Sequence, residues 1–397
     1  NTLTGPNADT NWSVTGSGSG TVGGSTFSNF QQLAGGSGTD NFSIATAGSL
    51  SGGINGGGGG DAIVASDDSN HLWSVTGDAP RSLAGALHFS NTANLVGGKP
   101  NDSFVLAPGG SVSGMIDGGL DDAQAVVPSV DTLSFAGRST AVTVDLTTAT
   151  ASATDVAGFQ AIDALVGSSV ADTLKGPSES RVTWDITGAD SGTVQGLAFS
   201  RFENLVGADL VASDLFVFEA GGSISGSVNG GIGTFDSIEM QNGVGGDYTI
   251  FDPSSGTDLS GTLSLYGQTV NYSGIDHQDL VGGDAFNKII YGTIFNDNIV
   301  VQAGPTLGST EVSFGGVSFF DGTFLSSGIV FSDPSESLSI YGMLGADHIE
   351  VRSLDANFGA DQKIYGSNMP DSKQSHDVTY HKRRFNMPAP GLNQRLS

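Results

Sequence analysis

The chain has 397 residues, enough for two or three ordinary domains and a large buried core. Its 41 acidic residues outnumber 14 basic ones, and the net charge of -27 excludes a protein that neutralises a nucleic-acid backbone. Cysteine is absent, so neither disulfides nor thiolate-bound metal hold the fold; 61 glycines beside 37% hydrophobic residues describe a chain that turns often between short apolar runs. No run of about 18 apolar residues is present to cross a membrane as a helix.

Internal repeats organise the chain. It opens Asn1-Thr-Leu-Thr-Gly-Pro6, which matches Asp172-Thr-Leu-Lys-Gly-Pro177, so the first residue is expected to lie inside a motif of a longer parent protein. A tryptophan-led unit follows at Trp12-Ser-Val-Thr-Gly and returns at Trp73-Ser-Val-Thr-Gly and Trp184-Asp-Ile-Thr-Gly. Each unit runs through a Phe-centred strand ending at Leu33, Leu95 or Leu205, then a Gly/Asp turn leading to Phe42, Phe104 or Phe216. It closes at Asn55-Gly56, Asp117-Gly118 or Asn229-Gly230, always 13 residues after that Phe.

The segments that this reading separates are residues 1–130, with two Trp-led repeats; 131–178, an inserted β module; 179–245, the third Trp-led repeat; 246–367, a second repeat type; and 368–397, a basic tail or cap. In the inserted module, Val142-Thr-Val-Asp-Leu146 alternates as a strand does, and a weak helical period touches Phe159 to Leu165. Elsewhere alternation over four to six residues, bounded by Gly, Asn and Asp, predicts strands throughout.

Marks within a unit recur about every twenty residues, as from Leu33 to Ile54 and from Leu95 to Ile116. That length suits one coil of a parallel β-solenoid, and the expectation is an all-β, right-handed parallel solenoid of degenerate repeats. A string of tandem β-sandwich domains is the alternative.

The motif with most chemical content is Gly-Gly-x-Gly-x-Asp with an apolar residue two places on. It stands at Gly35-Gly-Ser-Gly-Thr-Asp40-Asn-Phe42 and Gly56-Gly-Gly-Gly-Gly-Asp61-Ala-Ile63, with a reduced form at Gly97-Gly-Lys-Pro-Asn-Asp102-Ser-Phe104. Glycines let carbonyls curl toward a cation while Asp supplies a hard oxygen, so Asp40, Asp61 and Asp102 are candidate calcium ligands; the same residues also suit plain Gly-Asp turns. Drifted forms follow at Gly118 to Asp122, Gly207 to Asp214 and Gly230 to Asp236. These residues resemble the nonapeptide repeats of RTX (haemolysin-type) calcium-binding proteins, which implies a β-roll with calcium between turns. Here the nonapeptides are isolated, where that family runs them in tandem.

The Trp unit together with Asp131-Thr-Leu-Ser-Phe-Ala-Gly137 resembles the very large repeat-containing surface proteins of Gram-negative and related bacteria, which implies an exported, extended, adhesive or structural role. Other signals carry less. Gly18-Ser-Gly-Thr-Val-Gly23 lacks the helix a dinucleotide site needs, and the six histidines show no metal spacing. The expected protein is therefore a non-enzymatic structural or adhesive segment at the bacterial cell surface. Its expected partners are copies of itself, end to end or side by side, and a surface glycan; the basic tail from Lys373 to Arg395 would dock on an acidic coil. The alternatives are a β-helical polysaccharide-active enzyme and a glycan-binding module using Trp12, Trp73 and Trp184.

Overall fold

Alternation with β-branched and aromatic residues at the apolar positions specifies strands with one buried face. In the computed structural model every regular element among the described residues is a strand. The structure describes residues 1–77, 81–119, 128–148, 150–179, 181–208, 213–232, 236–240, 247–251, 259–265, 268–275, 277–280, 287–291, 298–314, 328–334, 337–342, 347–365 and 377–380. The basic tail from Lys373 to Arg395, save 377–380, and the pair Asp121 and Asp122 lie outside them.

The chain divides into two units, Asn1–Gln241 with Gly267–Asp276, and Asn242–Tyr266 with His277–Ser397. In the first unit, successive strands alternate between two long sheets. Across the first sheet the order is Thr2–Thr4, Gln32–Ala34, Gly53–Asn55, Leu87–Ser90, Arg81–Leu83, His71–Val75, Asp102–Leu106, Thr132–Ser134, Ala164–Val166, Leu197–Ser200, Ser191–Val194, Arg181–Gly188, Ser213–Phe218 and Ser237–Met240. Across the second it is Ser25–Phe27, Ser19–Val22, Thr10–Gly16, Asp40–Ile44, Ala62–Val64, Asn94–Val96, Val112–Asp117, Val156–Gln160, Ala151–Ala153, Thr143–Asp145, Thr173–Lys175, Asn204–Val206, Ser227–Asn229 and Gln268–Ile275.

Pairing is parallel except inside four three-stranded antiparallel meanders, at residues 10–27, 71–90, 143–160 and 181–200. The meanders fall in the second, first, second and first sheet in turn. Each lengthens one sheet, and the next restores the balance by lengthening the other. Two devices shape them. The tight turns at Gly23-Gly24, Ala84-Gly85 and Gln195-Gly196 have positive φ at both residues, the backbone that two-residue hairpins favour. Just after each third strand comes a left-handed residue, at Asn29, Asn91, Ala161 and Arg201.

Register aligns the core. Trp73, Phe104, Leu133, Leu165 and Phe199 are successive partners in the first sheet, and Val144, Leu174, Leu205, Val228 and Tyr272 in the second. All are buried. The three tryptophans repeat one geometry: each stacks on the Phe of the next parallel strand, Phe42, Phe104 or Phe216, with centroids 5.3, 5.4 and 5.4 Å apart. Each also meets the edge of a meander Phe, at 6.4, 6.0 and 6.1 Å.

The opening motif has a structural meaning as well. A Cβ on Gly5 or on Gly176 would stand 2.6 or 2.7 Å from the indole of Trp12 or Trp184, so in these two repeats the indole occupies the space a side chain would need. One cation is also buried: Arg138 reaches the Asp155 carboxylate at 2.7 Å, the carbonyls of Leu106 and Gly110, and the Phe135 ring. With both charge and donors satisfied, the guanidinium closes the end of that core region.

In the second unit, Asn287–Tyr291, Ser337–Tyr341 and Asp361–Tyr365 pair in parallel beside Asp247–Phe251. Leu259–Leu265 pairs antiparallel with Asp247–Phe251, and a further antiparallel meander, at Asn298–Ala303, Ser309–Phe314 and Gly328–Ser332, pairs in parallel with His348–Val351 and His277–Leu280.

The fold is thus all-β with long parallel sheets. The weak helical period near 159–165 falls on strands: Val156–Gln160 and Ala164–Val166 lie in different sheets, each burying apolar residues against its own neighbours. Residues 131–178 contribute a meander of the common kind and continue both sheets.

Truncation of the stacked rings gives a direct measure of this core. Trp184→Ala is expected to cost about 3–5 kcal/mol in urea unfolding, the range for emptying a buried aromatic site, and Phe216→Ala a similar amount.

Candidate functional site

The Gly-Asp turns are where the sequence concentrates charge, and the structure turns that charge inward. Asp40, Asp61, Asp102, Asp131, Asp172, Asp214 and Asp236 open strands or stand just before them, and none is more than 3% exposed. In four of them one carboxylate oxygen accepts an amide of its own turn: Gly36 N to Asp40 at 2.9 Å, Gly98 N to Asp102 at 2.7 Å, Ala208 N to Asp214 at 3.0 Å, and Ser168 N to Asp172. A carboxylate oxygen also accepts the main-chain N–H of a residue at the neighbouring strand. Asp40 N donates to Asp61 at 2.7 Å, Asp102 N to Asp131 at 2.7 Å, Val142 N to Asp172 at 2.6 Å and Asp214 N to Asp236 at 2.8 Å. Asp131 N continues one such ladder to Asp163, and Asp172 N another to Glu203, both at 2.7 Å.

The first glycine of each motif follows from this geometry. A Cβ on Gly35 would stand 2.4 Å from the Asp40 carboxylate and 2.0 Å from the Gly56 carbonyl. Gly97 is held in the same way between Asp102 and Gly118, and Gly207 between Asp214 and Gly230. Gly56, Gly118 and Gly167 are pressed by the carbonyls of the left-handed residues Asn91, Ala161 and Arg201, at 2.1, 1.8 and 1.9 Å from a Cβ. These glycines are required by close approach and have no positive φ of their own.

The candidate ligands Asp40, Asp61 and Asp102 therefore sit in separate turns, each committed to N–H donors. Asp40 accepts Gly36 N and the Trp12 indole, and Asp102 accepts Gly98 N, His71 N and His71 Nδ1. A calcium ion needs six to eight oxygens converging on one point. At Asp40 and Asp102 both carboxylate oxygens are engaged by N–H donors. Among the described residues no three acidic or histidine side chains cluster to hold a metal.

The Asp61 turn departs from the four that bind their own amide, as the turns of Asp131 and Asp236 do, where Gly119 N donates to Asp117 and Gly231 N to Asn229. Asp61 Oδ1 accepts Asp40 N, but its Oδ2 meets no donor among the described residues. The amide that would serve it, Gly57 N, donates to Asn55 instead. Burial pushes the Asp61 carboxyl above the usual range, and the nearby Asp40 charge adds to this against the stabilising amide. Asp214 and Glu203 are raised mainly by burial as well.

The tryptophans offer no platform for a sugar, since Trp12, Trp73 and Trp184 are 1%, 0% and 0% exposed. Sequence reasoning tied Gly118 to Asp122; the carboxylate that fills its turn is Asp131, at 2.7 Å from a Cβ on Gly118. The signal was the shared Asp-Thr-Leu of Asp131 and Asp172, which marks the residue entering a strand in both places.

Comparison with known proteins gives no match, either to a family model or to a curated protein.

Two measurements probe the turns. Thermal melting in EDTA and in millimolar calcium should coincide, without the several-degree rise that a well-filled site produces by mass action. Asp61→Asn removes the buried charge and keeps an acceptor for Asp40 N. A carboxyl raised on folding favours the fold below its unfolded value and loses that contribution as pH rises through its folded value. The variant should thus exceed the parent by about 1 kcal/mol at pH 7 in urea unfolding, and the gain should shrink as pH falls toward 4.

Proposed function

We propose that this chain is a structural segment of an exported bacterial surface protein, in which the alternating strands of the first unit form a two-sheet parallel β-solenoid. The observation that carries the reading is the use made of the repeated polar residues. The carboxylates of the turns are occupied by main-chain amides, and the tryptophans by stacked rings. A repeat whose recurring polar residues mostly serve neighbouring coils is built for length and stiffness, since each coil contacts only the next.

Parallel pairing between strands twenty to thirty-five residues apart supports a solenoid over Greek-key sandwiches, which pair antiparallel. The strong negative charge, the lack of cysteine and the resemblance to large repeat-containing surface proteins support an extracellular, cell-surface setting. In that setting the segment holds a more distal part away from the cell and associates side by side or end to end with copies of itself.

Electron microscopy of the purified chain tests the reading. The first unit should appear as a stiff rod roughly 65 Å long, from strands about 4.8 Å apart. A pair of round, independently tumbling domains in that region would overturn it. Light scattering on the same sample reads the self-association.

A further inference from the structure

The three Trp-led repeats share their aromatic geometry but part at one polar point. In the first and third, the indole Nε1 donates to the turn carboxylate, to Asp40 at 3.1 Å and Asp214 at 3.0 Å. In the second, Asp102 Oδ1 is taken by His71, through its amide and its ring Nδ1, both at 2.9 Å. The buried Trp73 Nε1 is left without an acceptor among the described residues. Two residues before the tryptophan, where the second repeat has His71, the first has Thr10 and the third Val182. An unpaired buried donor is a penalty that neither other repeat bears.

The histidine is oriented. Asp102 is fully buried and accepts donors on both oxygens, so the imidazole nitrogen facing it carries the proton, and Nε2 is the free acceptor. Nε2 lies 3.4 Å from Ser66 Oγ and 3.4 Å from Ser69 Oγ. Ser66 is held more firmly: Thr46 Oγ1 stands 3.3 Å from its hydroxyl, and its carbonyl is pressed against Gly98, 2.1 Å from where a Cβ would be. Carboxylate, imidazole and hydroxyl thus stand in the order of a nucleophile-activating relay, at separations common before substrate tightens them. On the His71 and Asp102 side opens a hollow of about 410 Å³ walled by Asn70, Leu72, Asn101 and Val130 among others, with Ser66 and Ser69 outside its wall. Leu72 and Val130 are 53% and 46% exposed, an apolar rim at a polar site.

We propose that Ser66, His71 and Asp102 form an acyl-transfer site for small carboxylic esters, an activity beyond the structural role. Ser66 Oγ attacks the ester carbonyl carbon as its proton passes to His71 Nε2. The bond to the alcohol oxygen breaks, and the alcohol leaves with that proton. Water, deprotonated by the same Nε2, then cleaves the acyl-serine, releasing the acid and returning the proton to Ser66. Asp102 holds the ring and stabilises the imidazolium throughout.

The test uses the full chain with a fluorophosphonate reagent, which forms a bond from serine oxygen to phosphorus with loss of fluoride, and with p-nitrophenyl acetate. Three proteins are compared: the parent, Ser66→Ala, and His71→Thr, which carries the residue of the first repeat and so leaves the fold intact, as a melting curve will check. The expected result is a phosphonate adduct on Ser66, absent in both variants, with ester hydrolysis reduced about 100-fold in each. No adduct on the parent, an adduct on another residue alone, or labelling undiminished in His71→Thr would each overturn the assignment.

Discussion

A carboxylate at the entrance of a strand that binds a main-chain amide of the neighbouring strand is the contact on which the first unit depends. Each turn between sheets leaves main-chain N–H groups that cannot be paired within a strand, and a buried amide without a partner is costly. Asp solves this twice, with one oxygen for its own turn and one for the adjacent strand, as Asp102 does for Gly98 and His71. The ionised acceptor makes these bonds stronger than neutral ones, which offsets the desolvation of a charge that is hardly exposed. Part of the acidity, eight buried aspartates among the described residues, is interior scaffolding.

The same contact dictates the glycines and the left-handed residues. The carboxylate and the carbonyl of the neighbouring strand meet over one α-carbon, and nothing larger than hydrogen fits between them at Gly35, Gly97 or Gly207. Where that neighbour is the end of a meander, a left-handed residue aims the carbonyl, as Arg201 does at Gly167. A meander thus inserts three strands without breaking the ladder on either side. Alternation of meanders between sheets follows from a geometric need: a sheet extended twice in succession would outrun the sheet facing it.

Strand content and the residues of the core were legible in the sequence, because a period of two with Phe, Leu and Val at the buried places has one physical reading. The three Trp units were legible for the same reason that they stack alike: Trp and Phe at a fixed spacing need one register. What sequence spacing hid was the partner of each glycine. Gly118 to Asp131 spans 13 residues and Gly35 to Asp40 only five, yet both close the same contact, because loop length between two fixed ends is cheap to vary. The meander at 143–160 was hidden too, since it carries Val144 and Phe159 where the others place Trp and Phe. Calcium was suggested by the Gly-Gly-x-Gly-x-Asp spacing, and glycine and aspartate at that spacing suit a cation loop and an amide ladder equally.

Repetition also explains how one coil can depart from the rest. When neighbouring contacts are nearly equivalent, losing a single hydrogen bond, such as that of the Trp73 indole, leaves the stacked rings on either side intact. The second repeat keeps its Trp73 to Phe104 stack at the 5.4 Å of the third while its carboxylate turns to a histidine. Ala65 stands where the first and third repeats have Gly5 and Gly176, the residues that press on the indole. A side chain there and a histidine on the carboxylate both alter the surroundings of one tryptophan, so the two changes act on a single point. A fold stabilised by many similar rungs can give one of them to chemistry, and the rung given up is recognisable by the donor it leaves unpaired.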